Sequence, residues 1–294
     1  FGSLPTMPLS LPEPTGAPTT GAAAGAEEEE EDDGDIVVKK LIASGGMGSV
    51  YLAEQRSLSR DVVVKTVPSP AKPAFARALI SEGTITGRLE HPNIVPVHSL
   101  VTGEDGRPML IMKYVGGVTW SRLLEDDRHE AWATVPFASD RLEAHLRILL
   151  QVAQAVGFAN ERGFVHRDIK PDNVMIGGDG EVYLLDWGIA LDVREGPVST
   201  RPLVGTPFFF APEMAEGGAL GSWTDVFQLG ANLHVILVRK PRHHGTTLVE
   251  VVDAAIVSAP FDYDDRVPGE LADLANRATS REPSARPASA RDFA

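Results

Sequence analysis

Asp168, Lys170, Asn173 and Asp186 are the residues whose types and spacing could do chemistry. Around them the chain reads G-F-V-H-R-D-I-K-P-D-N-V-M-I, then a G-G-D-G turn, then E-V-Y-L-L-D-W-G. Three oxygen-bearing side chains and one ammonium, gathered at one place, suit Mg²⁺ and phosphate. They can gather only if the segment folds back on itself. Two apolar runs, 174–176 and 182–185, flank the turn at 177–180. That pattern predicts an antiparallel hairpin, whose open end carries the residues before the first strand and after the second. Asp168, Lys170 and Asn173 should therefore stand close to Asp186.

The same stretch resembles the catalytic and metal-binding loops of eukaryotic-like protein kinases, H-R-D-x-K-P-x-N followed by D-F-G. Trp187 stands where that family has Phe. Further motifs follow the family's order. A strand over 36–41 leads into Ala43, Ser44, Gly45, Gly46, Met47, Gly48, Ser49 and Val50, similar to the family's glycine-rich loop. Gly45 and Gly48 match its second and third glycines, and Ala43 replaces the first. Glycines there let backbone N–H groups approach phosphate oxygens. An apolar strand, 61–65, ends in Lys65, and a helical stretch over 74–89 contains Glu82. The resemblance implies that Glu82 holds Lys65 on the α- and β-phosphates. It also makes Met112 the gatekeeper, Lys113, Tyr114 and Val115 the hinge, and Val50, Val63 and Met175 the residues that sandwich the adenine. G-T-P-F-F-F-A-P-E at 205–213 resembles the end of an activation segment, Asp225 a buried support of the catalytic loop, and Arg286 the partner of Glu213.

Taken singly these signals are weak. An aspartate near a turn usually caps it, a glycine-rich turn is usually only a turn, and a lysine at a strand end is common. Their order and spacing over residues 36–294 identify the chain as a member of the bacterial eukaryotic-like (Hanks-type) serine/threonine protein kinases. The implied fold class is α+β and bilobal. A small antiparallel-sheet lobe with one main helix (about 35–112) precedes a hinge (113–117) and a larger, mainly helical lobe (about 118–294) whose last helix is expected to be truncated.

The implied activity is ATP- and Mg²⁺-dependent phosphoryl transfer to serine or threonine hydroxyls of protein substrates, with Mn²⁺ a second candidate metal. Asp168 would orient the attacking hydroxyl, Lys170 neutralise the γ-phosphate, and Asn173 and Asp186 hold the metal. The Lys-Pro pair after Asp168, together with Thr206, gives the serine/threonine form. Arg167, Ser199, Thr200 and Thr206 are the regulatory candidates, with Ser199 or Thr200 autophosphorylated and paired to Arg167. Autophosphorylation makes a homodimer a candidate assembly. Trp187 is expected to fill space left by the small Thr86, so that Trp187→Phe lowers activity and Thr86→Leu restores it. Two alternatives compete: a pseudokinase, supported by Ala43 and Trp187, and a small-molecule phosphotransferase, opposed by the Lys-Pro pair and the A-P-E segment.

Composition bounds the rest. The chain has 294 residues, no cysteine and a formal net charge of −14. Disulfides and Cys-ligated zinc are excluded, and a cytoplasmic location is expected. Residues 1–35 hold nine acidic side chains and no Lys or Arg, so the remainder is only mildly acidic. Nothing points to nucleic acid. Residues 1–34, rich in Pro, Thr, Ala and Gly and ending in an acidic run, are expected to be a disordered tail. The chain opens on Phe and lacks a secretion signal, so a fragment or processed chain is expected, with membrane attachment only through a region beyond Ala294.

Overall fold

A computed structural model describes residues 4–5, 7, 34–45, 48–199 and 203–294. It divides the chain into two compact units, residues 1–88 with 96–114, and residues 89–95 with 115–294. The division falls between Tyr114 and Val115, inside the expected hinge.

The first unit is built on five strands: β1 (Ile36–Gly45), β2 (Gly48–Gln55), β3 (Arg60–Thr66), β4 (Val97–Thr102) and β5 (Pro108–Lys113), with helix α1 (Pro73–Thr86) between β3 and β4. The sheet is antiparallel in the order β1-β2-β3-β5-β4, which leaves β4 at an edge. Alternation along the strands sorts the side chains onto two faces. Ile36, Ala53, Val62, Val64, Val101, Met109 and Ile111 form one cluster. Val67, Leu79 and Leu110 form the second with Phe75, Val97, Leu100 and Met112, and this cluster takes in α1. Lys65 pairs with Leu110 and Val63 with Met112, so all four lie on the α1 face. The period of two thus aims a strand lysine at a helix.

Most of the expected tail lies outside the described residues. Where residues 5 and 7 are described they are bonded: Thr102 donates to the Pro5 carbonyl and Met7 donates to the Thr102 carbonyl.

The second unit holds β6 (Gly117–Thr119), α2 (Trp120–Glu125), α3 (Arg141–Glu161), β7 (Phe164–Val165), β8 (Val174–Gly177), β9 (Val182–Leu184), β10 (Leu191–Asp192), β11 (Val198–Ser199), α4 (Pro212–Glu216), β12 (Ala219–Leu220), α5 (Ser222–Val238), α6 (Leu248–Val257), α7 (Gly269–Ala278) and α8 (Ala290–Phe293). The hairpin expected at the chemical stretch is β8–β9, with Val174 opposite Leu184 and Ile176 opposite Val182. Gly180, at φ 82°, closes its turn. A Cβ there would meet the Thr134 carbonyl at 2.8 Å.

Thr134 belongs to residues 125–140, which read in the sequence as a polar connection. That segment is ordered instead, because Trp132 is buried, its Nε1 donates to the Asp126 carbonyl, and the Arg141 guanidinium lies 4.2 Å from its ring. The helix expected over 142–160 is α3, started by Asp140 accepting from the Glu143 amide. Among the described residues no helix is long and apolar enough to cross a membrane.

Candidate functional site

Helix α5 is the scaffold of the chemical stretch in the second unit. It is buried over most of its length, and Asp225, Gln228 and Asn232 are fully buried in it. Spacings of three and four put them on one face. Asp225 accepts the His166 amide at 2.9 Å and the Arg167 amide at 3.0 Å, and the Asn160 side chain at 2.8 Å. Gln228 accepts the Ile169 amide at 2.9 Å and donates to the Arg167 carbonyl at 2.7 Å. Asn232 donates to the Ile169 carbonyl at 2.9 Å. The backbone of residues 166–169 is therefore bonded to one helix face from both its N–H and C=O sides.

This grip tolerates an unusual backbone. Arg167 sits at φ 69°, a conformation uncommon for a side chain of its size. Burial pushes the Asp225 carboxyl up, opposed by its N–H donors and by His166. Burial also pushes the Arg167 guanidinium down, opposed by Asp225 and Asp168.

Asp168 emerges from this backbone with four donors on its carboxylate. Oδ1 accepts the Thr206 hydroxyl at 2.8 Å and the Thr206 amide at 3.1 Å. Oδ2 accepts Asn173 Nδ2 at 3.0 Å and lies 2.9 Å from Lys170 Nζ. Lys170 also donates to the Thr206 hydroxyl at 2.6 Å. One hydroxyl is thus held between a carboxylate and an ammonium. Asn173 Nδ2 donates in addition to the Asp168 carbonyl at 2.8 Å, which commits the NH₂ end of that amide and turns its oxygen the other way.

His166 and Asn173 join this group to Asp186. The Leu185 carbonyl can only accept, so His166 Nε2 carries the proton that bonds it at 3.0 Å. His166 Nδ1 is then bare and accepts the Asp168 amide at 3.2 Å. The Leu185 amide donates to the Asn173 carbonyl at 2.8 Å. Asp186, exposed and at φ 56°, follows directly. Trp187 is buried with its ring 4.5 Å from that of His166, edge to face. Its Nε1–H has no partner among the described residues.

The activation-segment candidates divide. Thr206 is in the Asp168 group, as above. Ser199 is exposed in β11, opposite Ala219 of β12. Thr200 lies outside the described residues. Arg167 Nε donates to the Ile189 carbonyl at 2.6 Å. Arg286 grips Glu213 with two bonds, 2.7 and 2.8 Å, and the Thr224 hydroxyl adds a third at 3.0 Å.

In the first unit Lys65 Nζ meets both Glu82 oxygens, at 2.7 and 2.9 Å. Val50 of β2 lies opposite Lys65, and Ala43 of β1 lies opposite Val50. Gly46 lies outside the described residues. The two flanking glycines differ. Gly48 has φ 147°, and a Cβ on it would fall 2.0 Å from the Thr66 carbonyl, so the hairpin itself demands glycine. At Gly45 a Cβ would meet nothing within 4 Å. Met112 is the penultimate residue of β5, Tyr114 and Val115 follow the strand, and Met175 lies in β8 opposite Tyr183.

Sequence reasoning missed Gln228, Asn232 and Thr224. The available signal was polar residues at helical spacing within an apolar run, which predicts buried groups that need partners.

The arrangement can hold a hydroxyl beside a general base, and a hard cation at Asn173 and Asp186, whose donors are oxygens. A protein kinase domain family model matches residues 36–293. The chain is 30% identical over 228 residues to the serine/threonine-protein kinase PknD of Protochlamydia amoebophila, covering 70% of this chain and 23% of that protein. It is 31% identical over 244 residues to PknB of Mycobacterium tuberculosis, covering 80% and 37%. It is 32% identical over 219 residues to PknB of Mycolicibacterium smegmatis, covering 72% and 33%. The chain therefore spans between 23% and 37% of the length of these relatives.

Proposed function

The chain belongs to the protein kinase family, and from that premise we propose that it transfers the γ-phosphoryl group of ATP to serine or threonine hydroxyls of protein substrates. The family uses ATP and a divalent metal. Mg²⁺ is the proposed metal, with Mn²⁺ as the alternative hard cation. The carrying observation is the Thr206 hydroxyl held at once by Asp168 and Lys170, since an acceptor hydroxyl needs those same two groups.

In the proposed reaction the substrate hydroxyl oxygen attacks the γ-phosphorus. The bond from that phosphorus to the β–γ bridging oxygen breaks, and ADP departs with the electron pair. The hydroxyl proton passes to the Asp168 carboxylate. Lys170 offsets negative charge on the phosphoryl oxygens. Asn173 and Asp186 are the residues that would hold the metal, which neutralises phosphate charge when bound. Lys65, kept in place by Glu82, takes the α- and β-phosphates. Gly45 suits the same ligand, since the open space where its Cβ would stand admits phosphate oxygens close to the backbone. Val50, Val63, Met112, Tyr114, Val115 and Met175 take the adenine. We place this domain in the cytoplasm, where any membrane attachment comes from another region, and propose a homodimer in which Ser199 or Thr200 is autophosphorylated.

Asp168→Asn tests the reading. Transfer of label from γ-labelled ATP to a generic protein acceptor should fall by about 10³-fold, while the melting temperature stays close to that of the unchanged protein. Equal transfer by both proteins would overturn it. The pseudokinase alternative predicts no transfer by either.

A further inference from the structure

Two backbone bonds and one apolar contact stand outside the phosphoryl-transfer machinery. Strand β4 ends the five-stranded sheet, so Thr102 faces outward with an N–H and a C=O that β5 does not take. Thr102 donates to the Pro5 carbonyl at 2.9 Å, and its own carbonyl accepts the Met7 amide at 2.9 Å. One residue bonded to two positions two apart is the pattern of parallel pairing. Pro5 contributes only its carbonyl, so its missing N–H costs nothing there. The Met7 side chain packs against the cluster formed by Ile36, Ala53, Val62, Val64, Val101, Met109 and Ile111.

We propose that the β4 edge, with the apolar cluster beside it, is a docking site for an extended segment carrying an unbranched apolar residue, and that the segment of this chain carrying Pro5 and Met7 occupies it in cis. The mode is strand addition: main-chain bonds hold the segment, and one side chain in an apolar site selects it. Methionine suits such a site because its unbranched thioether fills irregular gaps. The segment belongs to the same chain as its site. A tether holds a docking element at an effective concentration of about a millimolar, so two hydrogen bonds and one side chain suffice.

The face opposite α1 is thereby tied to the region ahead of β1. Anything that binds the segment carrying Pro5 and Met7 competes with the sheet edge for it.

Hydrogen exchange on the full chain tests this. The Thr102 amide should exchange about tenfold faster in Met7→Asp than in the unchanged protein, and at the unchanged rate in Met7→Leu. The amides of Val64 and Ile111, in central strands, should not change. A peptide FGSLPTMPLS added to Met7→Asp should slow Thr102 again, and the same peptide with Asp in place of Met should not.

Equal Thr102 exchange in the unchanged protein and Met7→Asp overturns the proposal. So does protection that disappears on dilution together with a dimer mass in light scattering, which would assign the edge to a second copy. Should Met7→Asp loosen Val64 and Ile111 as well, a nitroxide on Leu4→Cys decides, the chain having no other cysteine. Broadening at Thr102 and not at α7 supports the cis segment, and no broadening at Thr102 refutes it.

Discussion

Both units contain carboxylate–cation pairs that tie distant parts of the chain together, and two of these pairs, one from each unit, are built for different ends. Glu82 and Lys65 join a helix to a strand through a lysine whose side chain is 25% exposed. Glu213 and Arg286 join residues 73 apart through a guanidinium with no exposure at all, in a two-bonded fork that Thr224 completes. A lysine is a compact point charge on a flexible stem, while an arginine fork fixes geometry and stays charged. In the first pair Glu82 is buried, but the part-exposed Lys65 can meet a phosphate while it keeps its bond to Glu82. The second cannot be opened without leaving the buried Glu213 side chain short of its arginine partner. The comparison teaches that a pair's burial, more than its distance, separates a part that acts on a ligand from a part that holds the fold.

The largest effect should come from breaking the buried pair. Arg286→Leu leaves Glu213 unpaired and should cost about 3–5 kcal/mol of stability, read by denaturant unfolding. A loss under 1 kcal/mol would remove the distinction between the two pairs. Glu82→Gln should do the reverse. Activity should fall by about 10²-fold as Lys65 loses its position, while stability falls by less than in Arg286→Leu, because the part-exposed Lys65 keeps water as a partner.

Acid should expose the second unit in a third way. Burial holds His145 and His234 down to about 3 and His243 to about 4. A histidine lowered in the fold stabilises it above the ordinary value near 6.5 and loses that contribution as pH falls toward the folded value. From pH 6.5 to pH 5 each costs about 2 kcal/mol. The melting temperature should therefore drop between pH 7 and pH 5, less steeply in His243→Gln. A flat profile, or an unchanged slope in the variant, would show that these side chains are not what acid attacks.

The smallest effect contrasts the two glycines of the first unit. Gly45→Ala should leave the melting temperature unchanged and raise the KM for ATP several-fold, about 1 kcal/mol. Gly48→Ala should destabilise the β1–β2 hairpin outright. Identical behaviour of the two variants would contradict the assignment of Gly45 to a ligand and Gly48 to the fold.

The chemical stretch was legible in the sequence because its geometry is local. The β8–β9 hairpin follows from two apolar runs and a glycine turn. The placement of Asp168, Lys170 and Asn173 before it and Asp186 after it follows from strand direction alone. Lys65 and Glu82 were legible through the order of motifs, and alternation along β3 supplies the physical reason that they meet.

What tertiary structure alone decided are relations between residues far apart in the chain. The sequence marks Gln228 and Asn232 as polar residues in an apolar helix, but not that they bond Ile169 and Arg167. It shows two glycines in one loop, but only the Thr66 carbonyl distinguishes Gly48 from Gly45. Composition makes residues 1–34 a tail, and residues 125–140 a polar connection. A single well-placed apolar side chain in each, Met7 and Trp132, finds a buried surface that no local pattern announces, because burial belongs to the packed molecule and not to any one segment of it.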